Sequence, residues 1–264
     1  MMSRWKPSST LQVSAALHIG ALAGFATGLP ASWAAGAVVA NHALLTAAGL
    51  WPRSTILGSN MLRLSQAAHE ANQIAITIDD GPNPEVTPAM LDILDASNAK
   101  ATFFCIGRLV ELHPYLAQEI VKRGHSIENH SYGHRHHFSL MGMKSLRREI
   151  FKAQEIISQT TGYMPAYFRA PAGLRSPLLD PVLQSLSLKL VSWTRRGFDT
   201  MTNDPNKILH RLEYGLAAGD ILLLHDGNCA STIKDGPVVI SVLPKLLENL
   251  NVKGLTSVSL NSAA

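Results

Sequence analysis

The first 69 residues contain no acid. Arg4, Lys6, Arg53 and Arg63 are the only formally charged residues before Glu70. These four account for the net charge of +4 on the 264-residue chain, so everything after them is electrically balanced. A balanced chain has no basic stripe, and nucleic acid is not expected as a partner. Cysteine is scarce. Cys105 and Cys229 cannot build a disulfide framework. Cys105 lies in the apolar run 102–106 and is expected in the core. From Gln73 onward there is no internal repeat and no low-complexity tract, so a repeat architecture is not expected. Hydrophobic residues make up 46% and charged residues 16%, enough for one large single-core domain plus an appendage.

The acid-free segment holds two apolar runs, 11–28 and 33–50, separated at Leu29-Pro30. Each is about 18 residues, the lower edge for a membrane span. His18, Asn41 and His42 weaken them, whereas Trp33 and Trp51 sit where an aromatic belt would place them. A membrane hairpin is expected over 1–68, counting a linker from about Pro52 to Ala68. A cleaved signal peptide with its site near Ser32-Trp33-Ala34 is the rival, and it leaves the second run unexplained. Both readings put the chain at a bacterial-type cytoplasmic membrane. The basic flanks favour a cytoplasmic catalytic part; a signal peptide would make it an exported one.

Residues 69–264 form the expected catalytic domain. Strand signals fall at 74–79, 101–106, 125–129, 166–169, 188–193, 220–225 and 255–260. Amphipathic helical runs lie between them, at 87–97, 108–123, 144–161, 178–186, 205–217 and 237–250. Such alternation predicts an α/β fold, a mostly parallel sheet clothed by helices, with its sites at the carboxyl ends of strands.

Five polar features fall at those ends. Ile74 to Ile78 is an apolar strand running into Asp79-Asp80, and Gly81-Pro82 ends it. Two carboxylates there are costly to bury without a cation or hydrogen-bond partner. His130 and His134 follow the third strand, at a spacing that lets both face one metal from a single helical turn. One Asp with two His is a ligand set that leaves coordination positions open. His136 and His137 are expected as a polar loop. Arg169 ends the fourth strand and needs an anion, and Pro171 and Gly173 fix a tight loop whose free N–H groups suit an oxyanion. Val191-Ser192-Trp193 leads to Arg196, Phe198 and Asp199. His225 closes the aliphatic run 221–224.

Taken together, Thr77-Ile78-Asp79-Asp80-Gly81-Pro82, His130-Ser131-x-x-His134, Arg169-x-Pro171-x-Gly173, Asp199 and Leu223-x-His225 resemble the five ordered motifs of the polysaccharide deacetylases. These are the NodB-homology enzymes of carbohydrate esterase family 4. The resemblance covers about residues 72–260. It implies a distorted (β/α) barrel of about seven parallel strands, here preceded by the hydrophobic hairpin, with one divalent metal in an open groove. It implies Asp79 as catalytic base, and Asp80, His130 and His134 as metal ligands. Arg169 would hold Asp79, His225 would be the general acid, and Asp199 would orient it. Ala172 would supply an oxyanion N–H, and Leu223 would line the acetyl pocket. The metal would most simply be Zn²⁺, with Co²⁺, Ni²⁺, Mn²⁺ or Fe²⁺ as alternatives. Three positions depart from the family's habit. Ala172 replaces an aromatic, Arg196 an Asp and Thr200 a Trp, which puts the substrate groove in question.

The implied function is hydrolytic removal of N-acetyl groups from an N-acetylated amino sugar polymer, oligomer or lipid-linked glycan. The alternative is a metal-dependent C–N hydrolase acting on a non-carbohydrate amide. A metal- or glycan-binding module needs neither Asp79 nor His225, and a non-haem iron oxygenase leaves both unexplained.

Overall fold

The computed structural model describes residues 5–232 and 236–263, so Arg4 lies outside the described residues. The two apolar runs form helices α1 (Ser9–Ala26) and α2 (Ala31–Leu50). The Ser8 hydroxyl caps α1 by accepting from the Leu11 amide. Gly28, at φ +102°, and Pro30 make the turn that the sequence break anticipated. The helices pair through a buried hydrogen bond from Asn41 Nδ2 to Ser14 Oγ (2.8 Å) and through His18 against His42. The polar residues that weakened the runs thus face each other. Val13, Ile19, Leu22, Phe25, Val39 and Leu44 stay exposed around the pair. Helices apolar on all sides belong in a low-dielectric surround.

The rest of the chain is a curled half-barrel. Its strands are β1 (Gln73–Asp79), β2 (Ala101–Cys105), β3 (Ser126–Asn129), β4 (Tyr167–Phe168), β5 (Lys189–Leu190), β6 (Arg195–Arg196) and β7 (Ile221–His225). They run parallel in the order β5-β4-β3-β2-β1-β7-β6. A small antiparallel pair, β8 (Ser231–Thr232) and β9 (Gly236–Pro237), stands apart, and β10 (Thr256–Ser257) pairs with the start of β1.

Alternation along the central strands decides what faces the barrel. Ile74, Ile76 and Ile78 pack outward with Phe103, Leu222 and Leu224 against the helices. Ala75, Phe104 and Ile221 point into the barrel, in a second cluster. In the same register Thr77, Asp79, Leu223 and His225 fall on the inner side, because successive side chains alternate. Each buried Ile or Leu of the outer layer contributes about 1.5–3 kcal/mol.

The helical shell differs from the expected runs where proline intervenes. The run 108–123 is two helices, α5 (Gly107–Leu112) and α6 (Pro114–Lys122), because Pro114 can start a helix but not continue one. The remaining described helices flank the sheet: α3 (Gln66–Glu70), α4 (Thr87–Ala96), α7 (Met143–Thr161), α8 (Leu179–Ser185), α9 (Pro205–Glu213) and α10 (Val238–Val252). The expected strand 188–193 is only β5, after which Val191 bridges to Met61. That bridge gives the linker a place in the barrel. Met61 donates to Leu190 O and accepts from Ser192 N, and Leu64 donates to Gly219 O, each at 2.9 Å. Residues 61–64 therefore lace the seam between β5 and β7. β6 carries no apolar alternation, so no strand was expected there.

Candidate active site

The carboxyl ends of β1, β3, β4 and β7 meet at a cleft of about 200 Å³. Asp79, Asp80, His130 and His134 line it, as do Ala172, Leu223 and His225. Arg169 and Asp199 stand one layer behind, touching Asp79 and His225.

Asp79 ends β1 pointing inward. Its Oδ1 accepts from Arg169 Nη1 at 2.7 Å. The same nitrogen donates to Thr77 Oγ1, while Nη2 and Nε donate to the carbonyls of Ser192 and Val191. The guanidinium also lies 4.1 Å from the Phe104 ring centroid. An arginine only 1% exposed is tolerable with that many partners. Its surroundings leave Asp79 Oδ2 facing the cleft.

Asp80 follows in the left-handed region at φ +76°, so both acids address one cleft although neighbours in a strand would diverge. Its Oδ2 accepts from Asn228 Nδ2 at 3.2 Å. Its Oδ1 is buried, lies 3.3 Å from His130 Nε2 and 3.1 Å from His134 Nε2, and has no hydrogen-bond partner. His130 Nδ1 is engaged by the Arg169 carbonyl at 2.8 Å, which turns Nε2 toward Asp80. One ligand atom from each of Asp80, His130 and His134 lies within 4.8 Å of the others. An orphaned carboxylate oxygen facing two imidazole nitrogens fits a divalent cation, and the tethered far side of His130 is the support a ligating histidine needs. Burial opposes ionisation of Asp80, yet the adjacent His130, with His134 and His225, holds it well below the usual carboxylate range.

The two histidines do not share a helical turn, as their spacing suggested. Ser131 and His134 both have positive φ (62° and 45°), and an irregular loop folds His134 back beside His130. Asn129 secures it: its Oδ1 accepts from Ser131 N and its Nδ2 donates to Ile150 O. His136 and His137 are exposed loop residues.

His225 ends β7. Its Nδ1 lies 3.0 Å from Asp199 Oδ1, and its backbone N–H donates to Asp199 Oδ2 at 2.7 Å. Burial pushes this histidine down, but the Asp199 hydrogen bond and charge, with Asp79 and Asp80, raise it above an ordinary histidine. Nε2 is left for the cleft. Ala172 is exposed at φ 54° in the tight turn Pro171–Gly173. Gly173 (φ +73°) admits no side chain, since a Cβ would lie 2.6 Å from Pro52 and 2.7 Å from Trp193.

A family model described as polysaccharide deacetylase matches residues 66–191. A peptidoglycan-N-acetylglucosamine deacetylase of Bacillus cereus is 32% identical over 190 residues, 71% of this chain and 86% of that protein. The chain belongs to the polysaccharide deacetylase family. A second member, the chitooligosaccharide deacetylase of Azorhizobium caulinodans, is 34% identical over 168 residues, 62% of this chain and 80% of that protein. Among solved structures, a peptidoglycan N-acetylglucosamine deacetylase superposes with TM-score 0.68 at 27% identity, covering 77% of this chain and 92% of that one. A family 4 pseudoenzyme from Bacillus anthracis gives TM-score 0.69 at 21% identity over 78% of this chain and 68% of that one, which shows the fold alone.

Asn228 lines the cleft and escaped the sequence reading; Trp193 and Thr77 stood in the motifs without a role, and Trp193 lines the cleft while Thr77 braces Arg169. Asp226 is fully buried behind Asp80, accepting from the Thr87 hydroxyl and from the Gly227 amide. Burial pushes its carboxyl up to about 7, with Asp80 adding to the rise. Asp226 and Asn228 follow His225 directly. A polar run after a buried strand was the available signal.

Proposed function

We propose that this chain is a metal-dependent hydrolase that removes N-acetyl groups from an N-acetylated amino sugar carried on a polymer, an oligomer or a lipid. The observation that carries the reading is the division of labour across the cleft: an ionic Asp79–Arg169 pair on one wall and a His225–Asp199 pair on the other. Amide hydrolysis needs a base for water and an acid for the leaving amine, and these pairs are suited to the two tasks.

Asp80, His130 and His134 would hold a divalent ion, most simply Zn²⁺, which when bound would make water more acidic and polarise an acetyl carbonyl. Asp79, oriented by Arg169 through Oδ1, takes the water's proton on Oδ2. The Ala172 N–H, free in its turn, faces the oxygen on which negative charge develops. His225 gives its Nε2 proton to the sugar nitrogen as the C–N bond breaks, and Asp199 stabilises the imidazolium before transfer. Leu223 offers an apolar contact for the acetyl methyl. The products are acetate and a free amine. Helices α1 and α2, 18 and 20 residues long, uncharged and predominantly apolar, anchor the domain to a membrane.

Acetate and free amine should both appear when purified, metal-loaded chain meets N-acetylglucosamine oligomers. Amine release only from small cyclic amides in the same panel would replace the sugar reading by the non-carbohydrate one.

A further inference from the structure

Resting on the deacetylase reading, we propose a substrate class for this cleft. The substrate is an N-acetylated amino sugar joined through a phosphate to a membrane lipid. Arg196 receives the phosphate, and the docked hairpin holds the cleft at the bilayer surface.

Arg196 lines the cleft beside the catalytic side chains. It is half-buried, its Nε is buried with no hydrogen-bond partner, and no described carboxylate lies within 4.0 Å of it. Two aromatic rings fix the guanidinium without neutralising it: Phe198 at 4.9 Å and Trp193 at 5.6 Å. Its neighbour Arg195 shows the contrast. That side chain pairs with Asp220 at 2.7 Å and reaches the carbonyls of Tyr214 and Gly215. Alternation along β6 thus sends one arginine to a structural ion pair and the other, unpaired, to the cleft. The acids of the cleft face groups other than Arg196, Asp79 the Arg169 guanidinium and Asp80 Oδ1 the two imidazoles. A half-buried guanidinium held flat and left without a counter-ion is a receptor for an anion.

The second observation says where that anion comes from. The last turn of α2 is seated on the cleft rim. Gly49 O accepts from Arg175 N at 3.1 Å, and a Cβ on Gly49 would overlap the Arg175 carbonyl oxygen. Pro52 O accepts from Ser192 Oγ at 2.7 Å, and Arg53 Nη1 donates to Thr194 O. Pro52 in turn packs on Gly173, which lines the cleft with Trp193. One residue layer therefore separates the end of the apolar hairpin from the substrate wall. The start of α1 is tied to the same body, because Trp5 Nε1 donates to Asp180 Oδ2 at 2.7 Å. A catalytic wall fixed to its anchor in this way is held at headgroup depth. A sugar confined to the same surface meets it at high effective concentration, and a distant polymer does not. In a lipid-carried sugar the phosphate sits one bond from the first residue, within reach of an arginine in the sugar cleft.

The test uses the full chain, loaded with Zn²⁺, in lipid nanodiscs. Calorimetry compares N-acetylglucosamine 1-phosphate, neutral N-acetylglucosamine and the carboxylated N-acetylmuramic acid. The phosphorylated sugar should bind about tenfold tighter than the neutral one, as a charge-assisted contact implies, and Arg196→Gln should erase the difference. Equal binding of the phosphorylated and neutral sugars overturns the phosphate site, whether or not acetate is released. Tightest binding by the carboxylated sugar overturns the choice of phosphate. A binding preference without acetate release from any probe supports the anion site and removes the hydrolase reading instead. For the lipid half, polyprenyl-phosphate-linked N-acetylglucosamine in the same nanodiscs should show kcat/KM about tenfold above the soluble phosphosugar. Gly49→Ala, which pries the hairpin from Arg175, should lower the lipid-linked rate toward the soluble one while the soluble rate stays. Equal rates for both substrates in the unaltered chain overturn the lipid assignment.

Discussion

Arg169 holds Asp79 with Nη1, 2.7 Å from Oδ1, which it shares with Thr77 Oγ1, and spends its other two nitrogens on the carbonyls of Val191 and Ser192. The pair ties the carboxyl ends of β1 and β4 together beneath the cleft. Removing one partner strands a buried charge. Arg169→Met should cost about 3–5 kcal/mol of stability and most of the activity. Urea denaturation measures the first, and a loss under about 1 kcal/mol would show that the pair does not brace the barrel.

Metal retention should depend on the imidazoles. His130→Ala and His134→Ala should each lose bound metal and activity together, since two ligands do not keep a divalent ion in an open site. Elemental analysis after dialysis decides it. Full occupancy in either variant would place the ion elsewhere.

The His225–Asp199 pair sets a pH dependence. Asp199 raises His225, so the acid form persists above the ordinary histidine range. Activity that needs this proton is lost on the basic limb. Asp199→Asn removes the anion and should move that limb of the kcat/KM profile to lower pH. The linkage has the same sign. Stability from the raised histidine is fully present below the unfolded value, about 6.5, and is lost as pH climbs through the folded one. A basic limb that stays put or rises in Asp199→Asn contradicts the pairing.

Asp226 gives a slope of the same sign over a lower pH range. Its folded carboxyl titrates at about 7, and the unfolded one near 3.9. Between those values the native state keeps a proton that the unfolded chain has released, so this group's contribution falls as pH rises. In chelator, Asp226→Asn should flatten that part of the stability profile from about pH 4 to 7. An unaltered slope would mean that the side chain ionises freely in the folded chain.

Topology can be read from both ends. Trp5 at the start of α1 and Gly49 at the end of α2 both contact the catalytic body. The flanks Lys6, Arg53 and Arg63 carry positive charge, and the turn near Pro30 carries none. From the positive-inside rule we propose that both ends lie in the cytoplasm. A reporter active only in the cytoplasm, fused at Ala264, should give signal, and one active only outside should not. Signal solely from the exported reporter, with a mature N-terminus near Ala35, would establish a signal peptide instead.

Much of the barrel was written locally. Ile74–Ile78 and Ile221–Leu224 are β-branched or aliphatic runs bounded by turn residues, and such runs have few alternatives to buried parallel strands. Their alternation fixed which of Asp79, Leu223 and His225 would look inward. Motif order singled out side chains that meet at one cleft, because each follows a strand whose carboxyl end the fold gathers to one place. Local pattern could not decide the rest. The loop that folds His134 back onto His130 depends on Asn129 and on two positive-φ residues held by tertiary contacts. Asp80 reaches His130 and His134 only because its φ is positive, with Gly81 leaving room for Asp226 and Gly227 leaving room for Asp80. The linker 61–64 entered the seam of the barrel because the edge strand β5 and the turn leading into β7 offered unpaired backbone groups, a need invisible in its own sequence. Arg195 and Arg196 are identical as residues, and only the direction each takes from β6 gives one an acid and leaves the other facing the cleft.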